Sequence, residues 1–358
     1  MTDRLGKLYS QLASKGLDAI LVSQGENRRY LSGFTGSAGF LLISKQRSIL
    51  ATDFRYVEQA QVQAPNFEIV RIEGELSKWF PRLAAELTTH KLGFEGRAIS
   101  FSTYKELTDA LSNTKKGISL VPTDGLVESL RAVKDKEERK LLEKAAALVD
   151  AALEEILPQV KPGISEKELA WEIEGFLRRN GSEPTPFELI VASGLNSALP
   201  HARPTDRAIS RGEPVVIDIG AKVEGYSSDI TRTICLGGGD STFKQVYDIV
   251  LGAQLTAMAT LQAGISGEQA DRLGRTVIEQ AGYKDNFGHG LGHGVGLATH
   301  EEPRLGTNST SILTEGMVLT IEPGIYISGW GGVRIEDMVV LEDGKVRLLT
   351  KAKKIRSA

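Results

Sequence analysis

The sequence predicts a larger α+β domain at residues 129–358, preceded by a smaller α/β domain at residues 1–128. Three observations predict this arrangement. The first third of the chain alternates strand-like and helix-like segments. The remainder groups its strands into two similar hairpin-like stretches with helices before and between them. A chain of 358 residues is also long enough to form two cores.

The composition is that of an ordinary globular protein. Hydrophobic residues make up 41% of the chain, charged residues make up 25%, and the net charge is -3. Neither a nucleic-acid partner nor an anionic membrane is indicated. The single cysteine, Cys235, allows no internal disulfide and is expected in the core. The N-terminus lacks an apolar signal segment, and no run of about 18 apolar residues occurs, so we predict a cytoplasmic protein without a membrane span.

The first domain is predicted to begin with an amphipathic helix. Leu5, Leu8 and Leu12 recur at helical spacing before Gly16. Strands are predicted at residues 17–23, 39–44, 48–53, 67–72 and 91–95, and helices at residues 53–64 and 76–87. We place the boundary with the next domain near residues 124–133.

The second domain is predicted to begin with a long amphipathic helix that starts near Lys134. Its apolar residues form an i, i+3, i+4 stripe over about six turns, and the sequence KPG at residues 161–163 ends it. A second helix follows Ser165, because Glu168 three residues later completes a capping box. Two further helices are predicted at residues 241–263 and 266–282.

Residues 213–236 and 316–341 form an internal repeat. Each copy opens with an apolar run that ends in an acid followed by x-Gly. Each then has a Gly-rich reversal and a second strand with another acid. Both copies are predicted to be antiparallel hairpins. The four acids are Asp218, Asp229, Glu322 and Glu336.

Something must neutralise the four carboxylates of the repeat, because burying any of them alone would be costly. Two similar hairpins that face each other would bring the four together, where like charges either take up protons or bind cations. The alternative is that the acids face solvent. That alternative predicts several polar residues in alternation, whereas each strand offers one acid at the same place in both copies.

Three of the five histidines, His289, His293 and His300, lie within twelve residues. The glycines between them argue against a helix and predict a bare strand or loop that another backbone or a ligand approaches closely. A phosphate-binding loop is less favoured, because the strand-to-helix context is missing. His201 is a fourth candidate, and His90 is interpreted as a surface residue. Ordinary packed or surface histidines remain the alternative.

Four carboxylates with imidazoles make a hard, oxygen-rich donor set. This composition suits Mn²⁺, Co²⁺, Fe²⁺ or Zn²⁺. Four carboxylates neutralise two divalent ions, whereas a single ion would leave the site strongly negative. Because two carboxylate-bridged metals are a common hydrolytic device, the residues indicate a two-metal hydrolase.

The order of these residues resembles that of the superfamily of methionine aminopeptidase, prolidase and aminopeptidase P. It runs from the two aspartates through the histidine of HGLGHGVG to the glutamates of TIEPG and VRIED. The resemblance covers essentially the whole chain. It implies the pita-bread fold with a pseudo-twofold repeat, behind an N-terminal domain like that of creatinase and prolidase.

The resemblance also implies roles for individual residues. Two divalent ions are expected, most often Mn²⁺, with Asp229 and Glu336 bridging them. Glu322 would also carry a proton to the leaving proline nitrogen, and His300 would hydrogen-bond the substrate. The implied metal ligands are Asp218, Asp229, His293, Glu322 and Glu336. The residues that match other positions of proline-specific sites are His201, His289 and Arg334. Arg334 would either contact the substrate or steady Glu336 or a neighbouring acid.

Aminopeptidase P, which removes the residue before a proline, is the predicted activity. GFTGSAG at residues 33–39 and TDFRYVEQA at residues 52–60 look like counterparts of segments in that enzyme, although the first also reads as a plain tight turn. Prolidase, which cleaves only Xaa-Pro dipeptides, is the alternative. A creatinase-type hydrolase and a non-catalytic binding protein are less favoured, because the ligand set is intact.

Proline-containing peptides or dipeptides are the implied substrates, and a homodimer is the implied assembly. The Xaa-Pro bond has no N–H, and its ring fixes φ at about -65°. A proline site therefore needs an apolar wall and a proton for the leaving nitrogen. Phe187 or Tyr326 could form part of that wall, but core packing is the favoured prediction for both.

Overall fold

The computed structural model describes residues 4–87, 89–112 and 117–356. The chain divides into two compact units, Met1–Arg131 and Ala132–Ala358. The boundary predicted from the sequence lies three residues before this division.

The first unit is an α/β structure around a mixed sheet. Its strands are β1 (Ala19–Val22), β2 (Phe40–Ser44), β3 (Ser48–Thr52), β4 (Glu68–Arg71), β5 (Lys91–Glu95) and β6 (Ser119–Thr123). They lie in the order β4-β3-β2-β1-β5-β6. The pairs β1–β2 and β2–β3 are antiparallel and the other pairs are parallel. The helices are α1 (Arg4–Ser14), α2 (Gly25–Ser32), α3 (Val57–Gln63), α4 (Leu76–Glu86), α5 (Phe101–Ser112) and α6 (Leu126–Ala132), which crosses the division.

The five predicted strands of the first unit are present, and one predicted helix is shorter than expected. The helix expected from residue 53 begins at Val57. The residues before it form a turn instead, in which the Asp53 carboxylate accepts a 3.0 Å hydrogen bond from the Arg55 backbone N–H. The elements α2, α5, β6 and α6 were not predicted.

The hydrophobic periodicity of the sequence does not predict α2, because this helix buries a charged residue and has no apolar stripe. Its sequence, GENRRYLS, has no apolar stripe. Arg28 is buried and donates hydrogen bonds to the carbonyl oxygens of Gly36 at 2.7 Å and Gly39 at 2.8 Å. The loop GFTGSAG is thus held by an arginine of the preceding helix, and it connects α2 to β2.

The second unit combines long helices with antiparallel sheets, as the α+β prediction requires. Its helices are α7 (Lys136–Ile156), α8 (Glu166–Arg179), α9 (Ser241–Thr260) and α10 (Gly267–Gln280). Its strands are β7 (Ile190–Ser193), β8 (Pro214–Ile219), β9 (Lys222–Val223), β10 (Tyr226–Ser227), β11 (Ile230–Cys235), β12 (Gly292–Gly294), β13 (Glu301–Leu305), β14 (Val318–Ile321), β15 (Gly324–Ile327), β16 (Gly331–Arg334), β17 (Asp337–Glu342) and β18 (Lys345–Leu348). Short 3₁₀ helices lie at Leu157–Gln159, Gly194–Ala198 and Lys284–Asn286.

Capping chemistry sets where the helices of the second unit begin. The Ser165 hydroxyl accepts from the Glu168 backbone N–H, and the Glu168 carboxylate accepts from the Ser165 backbone N–H, which confirms the predicted capping box of α8. Asp135 and Glu138 form the same motif at α7, which therefore begins at Lys136. Within the described ranges, no helix is both long enough and apolar enough to cross a membrane.

Two apolar clusters hold the second unit together. One packs α7 and α8 against the sheet β11-β8-β7. The other packs α9 and α10 against the sheet β13-β12-β14-β17-β18 and includes the fully buried Cys235. Each half thus consists of two helices that cover one antiparallel sheet. This is the pseudo-twofold arrangement that the internal repeat implies.

The two copies of the repeat are hairpins, and both are interrupted. In the first copy, β9 pairs with β10 in a sheet separate from that of β8 and β11. β8 and β11 pair along their whole length. In the second copy, β14 pairs with β17 and β15 pairs with β16, so both arms are interrupted. Glu322 and Glu336 lie at these two interruptions. Pro323 contributes to the break, because it cannot donate a hydrogen bond to the ladder.

Candidate active site

β11 lies directly against the second hairpin. The Thr233 hydroxyl donates a 2.8 Å hydrogen bond to the Arg334 carbonyl and accepts one of 3.0 Å from the Arg334 N–H. The Glu336 N–H donates a 3.1 Å hydrogen bond to the Thr231 carbonyl. These contacts place the ends of both hairpins, and the acids they carry, side by side.

The four acids of the repeat form one cluster, and three of them have a raised pKa. Burial raises the pKa of Asp229 and of Glu336 well above the usual range, and the other carboxylates raise both further. Burial raises the pKa of Glu322 to about 8, with Arg334 opposing the shift and Asp218 adding to it. Among the described residues, the buried Oδ1 of Asp218 has no hydrogen-bond partner. A cluster of like charges with an unpaired buried acceptor fits bound cations.

His293 is the imidazole that lies nearest to these carboxylates. Its Nε2 is 3.4 Å from Glu322 Oε1 and 3.7 Å from Asp229 Oδ2. Ligand atoms of Asp229, His293 and Glu336 all lie within 4.8 Å of one another. Burial, followed by the charge of His300, lowers the pKa of His293 to about 3, so the ring is neutral and can bind a cation.

Glycines allow the histidine strand to lie close to its neighbours. A Cβ added at Gly292 would overlap the carbonyl of Thr320, and one at Gly294 would overlap the carbonyl of Glu302. β12 therefore fits between β13 and β14. The prediction of a bare strand approached closely by another backbone is confirmed. The same close approach places His293 beside the acid that comes directly after β14.

Arg334 connects the cluster to its surroundings. Its Nη2 donates to Asp218 Oδ2 at 2.6 Å, and its Nη1 donates to the Tyr326 hydroxyl at 2.8 Å. Its Nε donates to Thr231 Oγ1 at 3.1 Å, and that hydroxyl donates to Glu336 Oε2 at 2.7 Å. The guanidinium thus orients one acid directly and a second through a threonine.

His289 and Tyr326 form a pair that was not anticipated. His289 Nε2 lies 2.9 Å from the Tyr326 hydroxyl, and its Nδ1 lies 3.9 Å from Glu322 Oε2. Burial lowers the pKa of His289 to about 4 and raises the pKa of Tyr326 to about 12, so both are neutral near pH 7. Core packing is therefore an incomplete description of Tyr326. The sequence contained one signal for this role. Tyr326 lies four residues after Glu322, and alternate residues of an extended chain share a face.

His300 and Phe187 also lie near the cluster. The His300 ring centroid is 4.1 Å from that of His293, and burial lowers the pKa of His300. A Cβ added at Gly220, two residues after Asp218, would overlap the ring of Phe187. Phe187 is only partly buried, so its role as an apolar wall stays a prediction.

His201 is exposed and lies shortly after the 3₁₀ helix Gly194–Ala198. The carbonyl of the preceding residue, Pro200, accepts a 3.2 Å hydrogen bond from Arg334 Nη1. In addition to burial, the charge of His201 lowers the pKa of His289 and of His300. The structure thus brings the four candidate histidines to one region, whereas His90 is exposed in the first unit.

Protein stripped of divalent cations is expected to lose stability as the pH rises from about 5 to about 8. The folded-state pKa of Glu322 is about 8 against an ordinary value of 4.5, and those of Asp229 and Glu336 are also raised. The folded protein therefore holds these protons more tightly than the unfolded chain does. Their stabilisation is complete below the ordinary pKa and is lost as the pH rises through the folded-state pKa.

Thermal unfolding of the chelator-treated protein at several pH values across this interval measures the effect. The control is the same series with excess Mn²⁺, where bound cations replace the protons and the pH dependence should become shallower. A melting temperature of the stripped protein that stays level or rises with pH would contradict a cluster of mutually repelling carboxylates.

Two family models match the chain, one on each unit. The model described as Metallopeptidase family M24 matches residues 140–343. The model described as Creatinase/Prolidase N-terminal domain matches residues 4–133. Together they cover the elements that build the site and the sheet of the first unit.

Known proteins resemble the chain over nearly its full length. An Xaa-Pro dipeptidase from Pyrococcus furiosus is 36% identical and covers 99% of both chains. The solved structure of an Xaa-Pro dipeptidase from Bacillus anthracis is 43% identical, covers 99% of both chains and has a TM-score of 0.95. An X-Pro aminopeptidase structure from Thermotoga maritima is 36% identical, covers 96% of this chain and 98% of its own, and has a TM-score of 0.86. The chain therefore belongs to Metallopeptidase family M24, with the pita-bread fold behind a creatinase/prolidase N-terminal domain.

Proposed function

We propose that this protein is a two-metal Xaa-Pro dipeptidase, a prolidase. The observation that carries the proposal is the convergence of Asp229, His293 and Glu336 within 4.8 Å, beside Glu322 and Asp218. Relatives named as Xaa-Pro dipeptidases support the substrate class. Those names favour the dipeptidase alternative over the aminopeptidase P activity predicted first.

Aminopeptidase P is the second candidate. The Thermotoga maritima structure named as an X-Pro aminopeptidase supports it, with an identity close to that of the Pyrococcus furiosus dipeptidase. Both candidates use the same carboxylates and imidazoles. Their substrates differ on the C-terminal side of the proline, where a dipeptide has a free carboxylate and a longer peptide has a further residue.

In this proposal the cluster would hold two divalent ions through the side chains of Asp218, Asp229, His293, Glu322 and Glu336. Bound ions would polarise the scissile carbonyl and supply a nucleophile at neutral pH. We expect Mn²⁺, because carboxylate-rich donor sets suit it, with Co²⁺, Zn²⁺ and Fe²⁺ as alternatives.

The chain's own residues would handle the proton and the substrate. Glu322, whose Oε1 lies 3.4 Å from His293 Nε2 inside the cluster, would carry a proton to the proline nitrogen. His201, His289 and His300 would line the substrate side, and Arg334 would keep Asp218 in place. A homodimer and a cytoplasmic location belong to the proposal as predictions from the resemblance and the sequence.

The test is to strip the protein with chelator, restore Mn²⁺, and offer Xaa-Pro dipeptides beside Xaa-Pro-Yaa tripeptides. We expect metal-dependent cleavage of the dipeptide with kcat/KM at least about tenfold above that of the tripeptide. Release of the first residue from the tripeptide at an equal or higher kcat/KM would instead support aminopeptidase P. If neither substrate is cleaved with Mn²⁺, Co²⁺ or Zn²⁺, the proline-specific proposal is wrong.

A further inference from the structure

Glu166, the first residue of α8, has a fully buried side chain whose carboxylate accepts hydrogen bonds from a single segment. Its Oε1 accepts from the backbone N–H and the hydroxyl of Ser193, both at 2.7 Å. Its Oε2 accepts from the backbone N–H of Thr205 at 3.0 Å and from the hydroxyl of Thr205 at 2.6 Å. The Asn196 amide donates to both oxygens at 3.1 Å.

These hydrogen bonds close residues 193–205 into a loop. Ser193 ends β7, Thr205 lies at the far end of the segment, and one carboxylate binds the backbone of both. Closing a loop costs conformational entropy, which charge-assisted hydrogen bonds can offset. Burial alone would raise the pKa of Glu166, but hydrogen bonds from Thr205 and Ser193 lower it below the ordinary value. The carboxylate is therefore charged at neutral pH.

The tip of the loop is attached to β16. The Ser197 hydroxyl accepts a 2.8 Å hydrogen bond from the Gly332 N–H, and a Cβ added at Gly332 would overlap the Ser197 carbonyl. The Pro200 carbonyl accepts from Arg334. His201, the next residue, thus stands on a loop that is held by Glu166 at its base and by β16 at its tip.

We propose that Glu166 is a positioning residue that fixes the 193–205 loop and thereby sets where His201 meets the substrate. The substrate contact of His201 rests on the proposed function, whereas the closure of the loop rests on the hydrogen bonds alone. The carboxylate of Glu166 accepts its hydrogen bonds from the loop and not from the metal-binding cluster. Replacing Glu166 should therefore change the steady-state kinetic constants for the substrate and leave the metal content unchanged.

The competing explanation is that Glu166 only anchors the start of α8, where a negative charge is favourable. Glu168 provides the matched control, because it has the same side chain on the same helix turn. It is exposed and caps the helix through Ser165 without reaching the 193–205 loop. A purely helical role predicts similar effects of E166Q and E168Q.

Amide hydrogen exchange of the metal-loaded protein tests the loop directly. Glutamine keeps the size of the side chain, but its NH₂ group cannot accept hydrogen bonds from Ser193 or Thr205. We expect protection in residues 193–205 to fall at least about tenfold in E166Q and to stay unchanged in E168Q. T205V and S193A each remove one donor and should give intermediate losses, so the test survives if E166Q fails to fold.

Steady-state kinetics on an Xaa-Pro dipeptide tests the connection to His201. We expect E166Q to raise KM about tenfold while kcat changes less than about threefold, with metal content unchanged. Because the glutamate acts through the histidine, E166Q should add little to the defect of H201N in the double variant.

The proposal is overturned if amide hydrogen exchange in residues 193–205 is unchanged in E166Q. It is also overturned if E166Q and E168Q have equal effects on this exchange. Additive kinetic defects of E166Q and H201N would overturn it as well. If the unsubstituted protein cleaves no Xaa-Pro substrate, the proposed function fails, and hydrogen exchange of E166Q against E168Q still decides whether Glu166 closes the loop.

Discussion

Replacing Glu336 with Gln is expected to lower kcat/KM on Xaa-Pro dipeptides by about 10³-fold or more and to reduce the number of divalent ions bound per chain. Glu336 is 2% exposed and shares the cluster with Asp229 and His293. Glutamine keeps the size and one oxygen, so the hydrogen bond from Thr231 can persist. The substitution removes one of the four negative charges that would neutralise the two divalent ions.

The same substitution should have the opposite effect on the stability of the stripped protein. Burial and the neighbouring acids raise the pKa of Glu336 well above its usual range. Without cations, removing one carboxylate relieves this repulsion. The stripped E336Q protein should therefore be more stable than the stripped parent, by at least about 1 kcal/mol near pH 8. Added metal should stabilise the variant less than it stabilises the parent.

Metal analysis, dipeptide kinetics and thermal unfolding with and without Mn²⁺ check both halves of this prediction. E342Q is the control, because Glu342 ends the same segment, β17, but its side chain is 37% exposed and paired with Arg347. E342Q should bind metal fully and leave the stability almost unchanged, because exposed ion pairs contribute little. Full metal content and full activity in E336Q would contradict its role as a ligand.

The carboxylate cluster could be predicted because local pattern and repeat pointed to the same residues. An acid inside an apolar run is costly to bury, and Asp218, Asp229, Glu322 and Glu336 occupy equivalent places in two copies of one hairpin. The glycines around His293 predicted a bare strand or loop approached closely by another backbone or a ligand, and the resemblance to known metallopeptidases singled out His293 among the histidines. In each case the evidence lay in the sequence pattern and did not depend on how distant segments pack.

Residues whose partners come from distant segments gave at most a weak signal. Tyr326 looked like a core aromatic, because its contact with His289 depends on how the second hairpin packs. Nothing in the sequence distinguishes Glu166 from other glutamates in the first turn of a helix, because its partners lie on the 193–205 loop. The helix α2 carries a buried arginine instead of an apolar stripe, so periodicity could not find it. In all three cases the environment of the residue or helix depends on hydrogen bonds that form only in the folded tertiary structure.

Glu301 follows the segment that carries His289, His293 and His300, and it forms a buried ion pair with Lys134. Breaking this pair is expected to lower the stability of the protein more than breaking any other contact of that segment. Lys134 Nζ lies 2.8 Å from Glu301 Oε1, and the two side chains are 1% and 4% exposed. K134M removes one charge and leaves the other buried. We expect the free energy of unfolding to fall by about 3–5 kcal/mol, measured by urea denaturation.

Lys140 supplies the matched control for this prediction. It lies on α7 and pairs with Glu137 at 2.8 Å, but the side chains are 63% and 78% exposed. K140M should therefore cost less than about 1 kcal/mol, because exposed pairs contribute little. A K134M protein that is as stable as K140M would show that the Glu301 carboxylate is not held as a buried charge.

The double variant K134M/E301Q separates the energetic role of this pair from its geometric role. With no buried charge left, it should recover most of the stability that K134M loses, since apolar or neutral replacement of a buried pair is often tolerated. Glu301 comes directly after His300, and a Cβ added at Gly296 would overlap the Glu301 carboxylate, so the 296–301 segment folds around this group. A double variant that is stable yet cleaves Xaa-Pro dipeptides poorly would mean that the ion pair is kept to hold His300 beside His293. If the double variant is both stable and fully active, the ion pair has no role in positioning His300, and each charge serves only to neutralise the other.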